Sequence, residues 1–259
     1  MTSKPTFLNQ SRPLLTCLIQ NSSVADAVNI AINASYECPD AYAYQLECLA
    51  KEERTDENIR RIFGAMGRKP IYVTNYRGGK NGGDTDEQLS EGLFWMLKNG
   101  ATLLDVMGDY YCPHPIQMTD DPTAVDRQKD LIARIHDAGG EVLMSSHVMK
   151  FIPAEEVIEI ANKQIERGAD VVKIVTAANS EEEEFENLRT TMLMKQQVKA
   201  PFLFLSGGSH NKLHRQLGIY FGCSLALTVY NHQPGTTPAQ PRLAGMRKVM
   251  DGLNTNGIF

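Results

Sequence analysis

The sequence has no apolar run long enough to cross a bilayer, no C-x-x-C pair and no excess of basic residues. A membrane-spanning helix needs about 20 consecutive apolar residues, so none is expected. The opening stretch MTSKPTFLNQSRP lacks the apolar core of a secretory leader, and the expected setting is the cytoplasm. The five cysteines (Cys17, Cys38, Cys48, Cys112 and Cys223) form an odd count without zinc-knuckle spacing. That pattern argues against a disulfide framework or a structural zinc, and for a reducing compartment. Lysine and arginine number 26 against 31 acidic residues, a formal charge of −5, which leaves no electrostatic footprint for nucleic acid or anionic lipid. A small anionic substrate stays open, because a local arginine outweighs a modest global charge. The single tryptophan, Trp95, alternates with leucines at helical spacing and is expected in the core.

What the chain does have is apolar material in short, evenly repeated pieces. Its 259 residues, 42% of them hydrophobic, suit one large α/β barrel or two smaller domains. Strand candidates are Pro13 to Ile19, Ala41 to Leu49, Pro70 to Tyr76, Thr102 to Gly108, Glu141 to His147, Asp170 to Thr176, Pro201 to Gly207 and Ser224 to Tyr230. Most recur at about thirty residues, the length of a βαβ unit. Between them lie helical patterns. DEQLSEGLFWMLKNG ends at Gly100, a stop signal, and IPAEEVIEIANKQIERG opens on Pro153 with two glutamates and stops at Gly168. Glu181 to Glu184 reads as the acidic first turn of another helix. Eight alternations without a linker predict a (β/α)8 TIM barrel in one domain over 1–259. A doubly wound open sheet is the alternative architecture.

Within this pattern the run ADVVKIVTA places Lys173 among β-branched apolar residues of a buried strand. A lysine there either reaches solvent at a strand end or sits desolvated for a purpose. Barrel active sites lie at the C-terminal strand ends, and unusual polar residues collect there. Cys17 ends the first strand, Glu47 the second and Asn75 with Arg77 the third. Asp105 sits late in the fourth, His147 ends the fifth, and Arg215 follows the seventh. Lys173 and His147 come from adjacent strands, an expected separation of about 5 Å. An amine whose charged form is disfavoured by burial, next to an imidazole, is equipment for imine chemistry on a ketone.

These residues resemble the type I 3-dehydroquinate dehydratases along nearly the whole chain. Leu143-Met-Ser-Ser-His147 is similar to the family's S-x-H segment with its catalytic histidine, and Val172-Lys-Ile174 to its Schiff-base segment. His214-Arg215-Gln-Leu-Gly218 with Phe221-Gly222 resembles S-R-x-x-G-x-x-F-G, whose arginine binds the substrate carboxylate. Thr236-Thr-Pro-Ala-Gln240 resembles S-A-P-G-Q in the closing loop. Arg77 with Gly82-Gly83 matches R-S-x-x-E-G-G, and Asp105 matches the aspartate of the fourth strand.

The resemblance implies a dehydratase of aromatic amino acid biosynthesis, in the shikimate pathway, turning 3-dehydroquinate into 3-dehydroshikimate. Lys173 is then the imine-forming nucleophile and His147 the acid–base. Arg215, Gln240, Arg77, Glu47, Thr236 and Cys17 become substrate contacts, while Asp105 and Asn81 become orienting groups. No metal or organic cofactor is required, because the lysine supplies the electron sink; the partner is a small carboxylate, and a homodimer is a family-level expectation. Departures are also present. The second-strand E-W-R-x-D appears as Glu47-Cys-Leu-Ala-Lys51, with Leu49 for arginine and Gln45 as a shifted-register candidate for the glutamate. Asn81 stands for the histidine-orienting glutamate, Cys17 for a serine and Thr236 for the lid serine. A class I aldolase on a phosphorylated sugar, motivated by Ser206-Gly-Gly-Ser209, and a non-catalytic carboxylate-binding barrel are the rival readings. His210 and His214, at i,i+4, are read as surface residues.

Overall fold

The computed structural model describes residues 5–253. Eight parallel strands, β1 (Leu14–Ile19), β2 (Ala41–Gln45), β3 (Ile71–Thr74), β4 (Leu103–Met107), β5 (Glu141–His147), β6 (Val171–Ala177), β7 (Phe202–Gly207) and β8 (Leu225–Thr228), each precede a helix. The helices are α1 (Val24–Ser35), α2 (Asp56–Ala65), α3 (Asp86–Lys98), α4 (Pro122–Asp137), α5 (Ala154–Glu166), α6 (Glu181–Gln197), α7 (Lys212–Phe221) and α8 (Leu243–Leu253). From β1 to β7 each strand pairs with its sequence neighbours, and β8 pairs with β1. Ser224 N donates to Phe202 O at 2.8 Å where β8 approaches β7, so the ring is nearly closed. This is the (β/α)8 barrel; an open doubly wound sheet would instead reverse its strand order.

Alternation sorts the strand residues into two cores. Leu14, Leu18, Ala43, Tyr72, Leu143, Val171, Leu203 and Leu227 fill the barrel interior, with Phe7 packed against the same cluster. Leu15, Cys17, Ile19, Val73, Leu104, Val172 and Phe204 face the helix layer. Helix starts follow the chemistry of their ends. Thr85 and Gln88 form a capping box on α3, and Ser180 caps α6 above four glutamates in its first turn. Trp95 is only partly buried, because its indole N–H reaches out to the Asp56 carboxylate.

β2 is shorter than its apolar run. The chain leaves the strand after Gln45 into a 3-10 turn, Leu46–Cys48, so Glu47 sits on a turn rather than on a strand end. Gly79 packs onto this turn with φ 56°, and a Cβ there would lie 2.6 Å from the Glu47 carbonyl oxygen. Glycine is therefore required where the loop after β3 crosses the end of β2.

Candidate active site

Lys173 lies on the inward face of β6, opposite Ser145 of β5 and Leu203 of β7, and is 4% exposed. It is not surrounded by an apolar wall. Its Nζ donates to Tyr76 Oη at 2.5 Å and Tyr72 Oη at 3.0 Å, and pairs with Asp105 Oδ2 at 3.3 Å. Both phenols in turn donate to Asp105 Oδ2, and Ser145 Oγ donates to Asp105 Oδ1 at 2.5 Å. The ammonium also lies 5.6 Å and 5.1 Å from the Tyr72 and Tyr76 ring centroids. Burial, then the Asp105 charge, holds both phenols protonated far above the usual tyrosine range. They act here as hydrogen-bond relays between the amine and the carboxylate.

His147 ends β5 opposite Val175, two residues beyond the Ser145–Lys173 pair, so imidazole and amine are diagonal rather than lateral neighbours. The Tyr76 ring meets both: its centroid is 5.3 Å from that of His147, edge to face. Nδ1 of His147 lies 2.6 Å from Gln117 Oε1 in the β4–α4 loop. Because an amide oxygen only accepts, Nδ1 carries the proton and Nε2 is left as the free lone pair. Burial and the charge of Lys173 push this imidazole's pKa down to about 3, against a smaller pull from Asp105.

Arg215, in the first turn of α7, is buried. Its Nε donates to Ser206 O at 2.7 Å and its Nη1 to Gln240 Oε1 at 2.9 Å. No carboxylate among the described residues is bonded to it, and burial pulls its pKa down to about 10. A buried guanidinium held only by neutral acceptors is a site for an incoming anion. His214 is wholly buried rather than at the surface. Its Nδ1 accepts from Ser206 N at 3.2 Å and its Nε2 faces Thr191 Oγ1 at 3.0 Å, fixing the neutral tautomer. His214 and Arg215 thus bind the two backbone groups of one residue, which locks the end of β7 to α7.

Other expected residues fall elsewhere. Cys17 faces the helix layer, because the apolar run LLTCLI hides which of its alternating positions points inward. Burial pushes its thiol up to about 12, so it is neither at the mouth nor reactive. Gln20, just past β1, occupies the mouth instead and donates to Gln45 Oε1 at 2.6 Å and Thr237 Oγ1 at 3.0 Å. Glu47 is buried under Thr74, whose hydroxyl lies 2.8 Å from Oε1, and under the Tyr76 N–H at 3.3 Å. Burial raises its pKa, opposed by these hydrogen bonds. Leu49 packs in the helix-side core.

Arg77 is held by Asp86 and Asp109 at 2.6 Å and 2.8 Å, so both its faces are already paired with protein carboxylates. Asn81 does not meet His147. Its amide donates to Asn75 Oδ1 and Tyr76 O, each at 2.8 Å, and accepts from Arg54 at 2.7 Å. The hydroxyl of Thr236 closes its own turn on Gln233 at 2.8 Å. The Ser206 to Ser209 loop packs on the loop after β6: Ser209 N donates to Asn179 Oδ1 at 3.4 Å, His210 N donates to Ala178 O at 2.9 Å, and a Cβ on Gly208 would lie 2.3 Å from that same Ala178 oxygen. A cleft of about 740 Å³ is lined by Gln20, Glu47, Lys80 and Gln233 among others, and Lys173 and His147 are not among its walls.

His147 and His214 make stability depend on pH. Burial brings both down to about 3 when folded, below the usual histidine value of about 6.5. As pH falls, the unfolded chain therefore takes up protons first. Their contribution is complete above about pH 6.5 and is lost as pH drops toward 3, by about 2 kcal/mol each at pH 5. Urea unfolding at pH 7 and pH 5 should show the loss; equal stabilities would contradict the neutral assignments.

A barrel that buries an amine and a neutral imidazole on neighbouring strands, with a guanidinium held by neutral acceptors beyond them, has the layout of a lysine-imine barrel enzyme. The family model for type I 3-dehydroquinase matches residues 12–256, and the chain belongs to that family. It is 29% identical over 201 residues to the 3-dehydroquinate dehydratase of Klebsiella pneumoniae subsp. pneumoniae, covering 76% of this chain and 74% of that one. It is 24% identical to the enzyme of that name from Lactiplantibacillus plantarum, over 96% of both chains. Among solved structures, the 3-dehydroquinate dehydratase of Geobacillus kaustophilus superposes with a TM-score of 0.79 at 17% identity, covering 95% of this chain and 92% of that one. The type I enzyme of Clostridium difficile with covalent modified comenic acid superposes with a TM-score of 0.78 at 18% identity, over 98% of each.

Proposed function

We propose that this chain is a Schiff-base-forming carbon–oxygen lyase that removes water from 3-dehydroquinate, giving 3-dehydroshikimate. The carrying observation is the buried amine of Lys173 in its cage of Tyr72, Tyr76 and Asp105, on the inner face of a barrel of this family. Asp105 is the resting counter-ion, and the two phenols give the ammonium proton a hydrogen-bonded route away from Nζ. The freed amine adds to the ketone carbon, water leaves, and the protonated imine draws electron density from the adjacent carbon.

In this reading Nε2 of His147 takes the proton from that carbon and returns it to the hydroxyl departing one carbon further on, and a water molecule then hydrolyses the imine, releasing 3-dehydroshikimate and restoring the Lys173 amine. A substrate carboxylate on Arg215 would neutralise one of the two positive charges that depress the histidine, making the imidazole a better base once the ligand is in place. Gln240 already holds Arg215 Nη1 and orients the guanidinium toward its ligand. Glu47 shapes the mouth through Thr74 and Tyr76. Residues 1–259 act as one catalytic domain in the cytoplasm. The homodimer is part of the same reading, and sedimentation equilibrium checks it.

Appearance of the conjugated enone by ultraviolet absorbance tests the reaction. Retro-aldol cleavage of a sugar phosphate without dehydration would overturn it. Arg215→Gln is expected to raise KM for 3-dehydroquinate roughly 10- to 100-fold, the worth of a charge-assisted hydrogen bond. An unchanged KM would remove Arg215 from the carboxylate site.

A further inference from the structure

We propose that Gln117 is the positioning residue for His147, holding its ring and its tautomer from the β4–α4 loop. Three observations converge on this residue. Gln117 Oε1 is 2.6 Å from Nδ1, a distance that requires the N–H on that nitrogen. Gln117 adopts φ 48°, a left-handed backbone that a glutamine takes only when its surroundings impose it. Those surroundings are built. Gln117 N donates to His114 O at 2.8 Å, and Gly108 pairs with Met118 across an isolated bridge. A Cβ on Gly108 would lie 2.8 Å from the Gln117 carbonyl oxygen, so the strand end must be bare for the loop to approach.

The loop is clamped from behind by Arg167 at the end of α5. This guanidinium is 5% exposed; its Nη1 donates to Gly108 O at 2.9 Å and Gln128 Oε1 at 2.8 Å. Its Nη2 donates to Thr119 O and lies 3.5 Å from Asp120 Oδ1. Arg167 thus holds the chain just after Gln117, and Ser146 Oγ donates to Ile116 O just before it, so both flanks of Gln117 are fixed to the barrel wall. Asn81, by contrast, has its amide committed to Asn75, Tyr76 and Arg54. The orienting contact comes from the loop after β4 rather than from the loop after β3. It is a neutral amide, so it fixes Nδ1–H without drawing a second proton onto the ring.

The charged and titratable groups around His147 are Lys173 on β6, Asp105 on β4, Arg215 on α7 and the Tyr76 phenol after β3. All are unchanged by substitutions at position 117, so differences between variants report that position alone. Imidazole proton–nitrogen correlation NMR on the ligand-free full chain, with the His147 signal identified by its loss in His147→Ala, reads the tautomer at neutral pH. The wild type should show Nδ1–H. Gln117→Leu should lose that preference, and Gln117→Glu should keep it while raising the His147 titration midpoint by about one unit or more, since a facing carboxylate favours imidazolium.

A kinetic arm rests on the dehydratase reading. Gln117→Leu is expected to lower kcat about tenfold with KM within about twofold, as loss of one positioning hydrogen bond should. If the wild type does not turn over 3-dehydroquinate, that reading fails while the NMR arm still decides the role of Gln117. His147 with the same tautomer and midpoint in both folded variants as in the wild type would overturn the proposal.

Discussion

Lys173→Ala is expected to abolish both dehydration of 3-dehydroquinate and the adduct that borohydride traps, lowering turnover by roughly 10⁴-fold, about 5.5 kcal/mol of barrier. Among the described residues no other amine is bonded within the cage of Tyr72, Tyr76 and Asp105, so none of them can replace the nucleophile there. The substitution removes a cation from a buried carboxylate, which by itself threatens folding. Asp105 nevertheless keeps three donors: the Tyr72 and Tyr76 hydroxyls on Oδ2 and Ser145 on Oδ1. A folded variant is therefore expected, and circular dichroism checks it before kinetics are read. A folded Lys173→Ala that still yields the reduced adduct would move the nucleophile elsewhere.

His147→Ala should separate base from nucleophile. Its turnover is expected to fall by ~10²-fold or more, the usual worth of a positioned acid–base group. The cage around Lys173 does not include the imidazole among its hydrogen bonds, so the amine is left intact. Trapped imine should therefore persist, formed more slowly if His147 also carries protons for that step. Peptide mapping after borohydride treatment, beside the steady-state rate, distinguishes the two variants. Full activity in a folded His147→Ala would remove the histidine from the reaction.

Much of this arrangement is legible in the sequence because period-two alternation is strict. Lys173, His147 and Asp105 are polar at inward positions, His147 at the end of β5 and the other two within β6 and β4, and β5 and β6 lie beside each other as the βαβ repeat requires. Tyr72 was within reach of the same argument: it lies two residues before Thr74 on β3, and so shares its face. Cys17 marks where alternation gives out. Every residue of LLTCLI is buried, and nothing in an all-buried strand tells the inner wall from the outer. The diagonal offset of His147 from Lys173 depends on strand register, which neighbouring chain segments do not encode locally.

Loop partners were less legible still. Glu47 leaves its strand because Thr74 and Tyr76 satisfy its carboxylate from β3. Gln117 meets His147 across thirty positions of sequence through a loop fixed by Arg167 from another helix. His214 reads as half of an exposed i,i+4 pair, yet Ser206 and Thr191 draw it inside as a neutral link between β7, α6 and α7. In each case a tertiary hydrogen bond decides the position of a side chain whose local sequence permits several.

In the proposed reaction Lys173 holds the substrate as an imine. Sodium borohydride added to the full chain during turnover of 3-dehydroquinate, followed by peptide mass mapping, tests it most directly. The expected result is one reduced adduct, on the peptide that carries Lys173, with loss of activity in proportion to its yield. Complete dehydration with no adduct, or an adduct on a different lysine such as Lys80 or Lys150 with Lys173 unmodified, would contradict it.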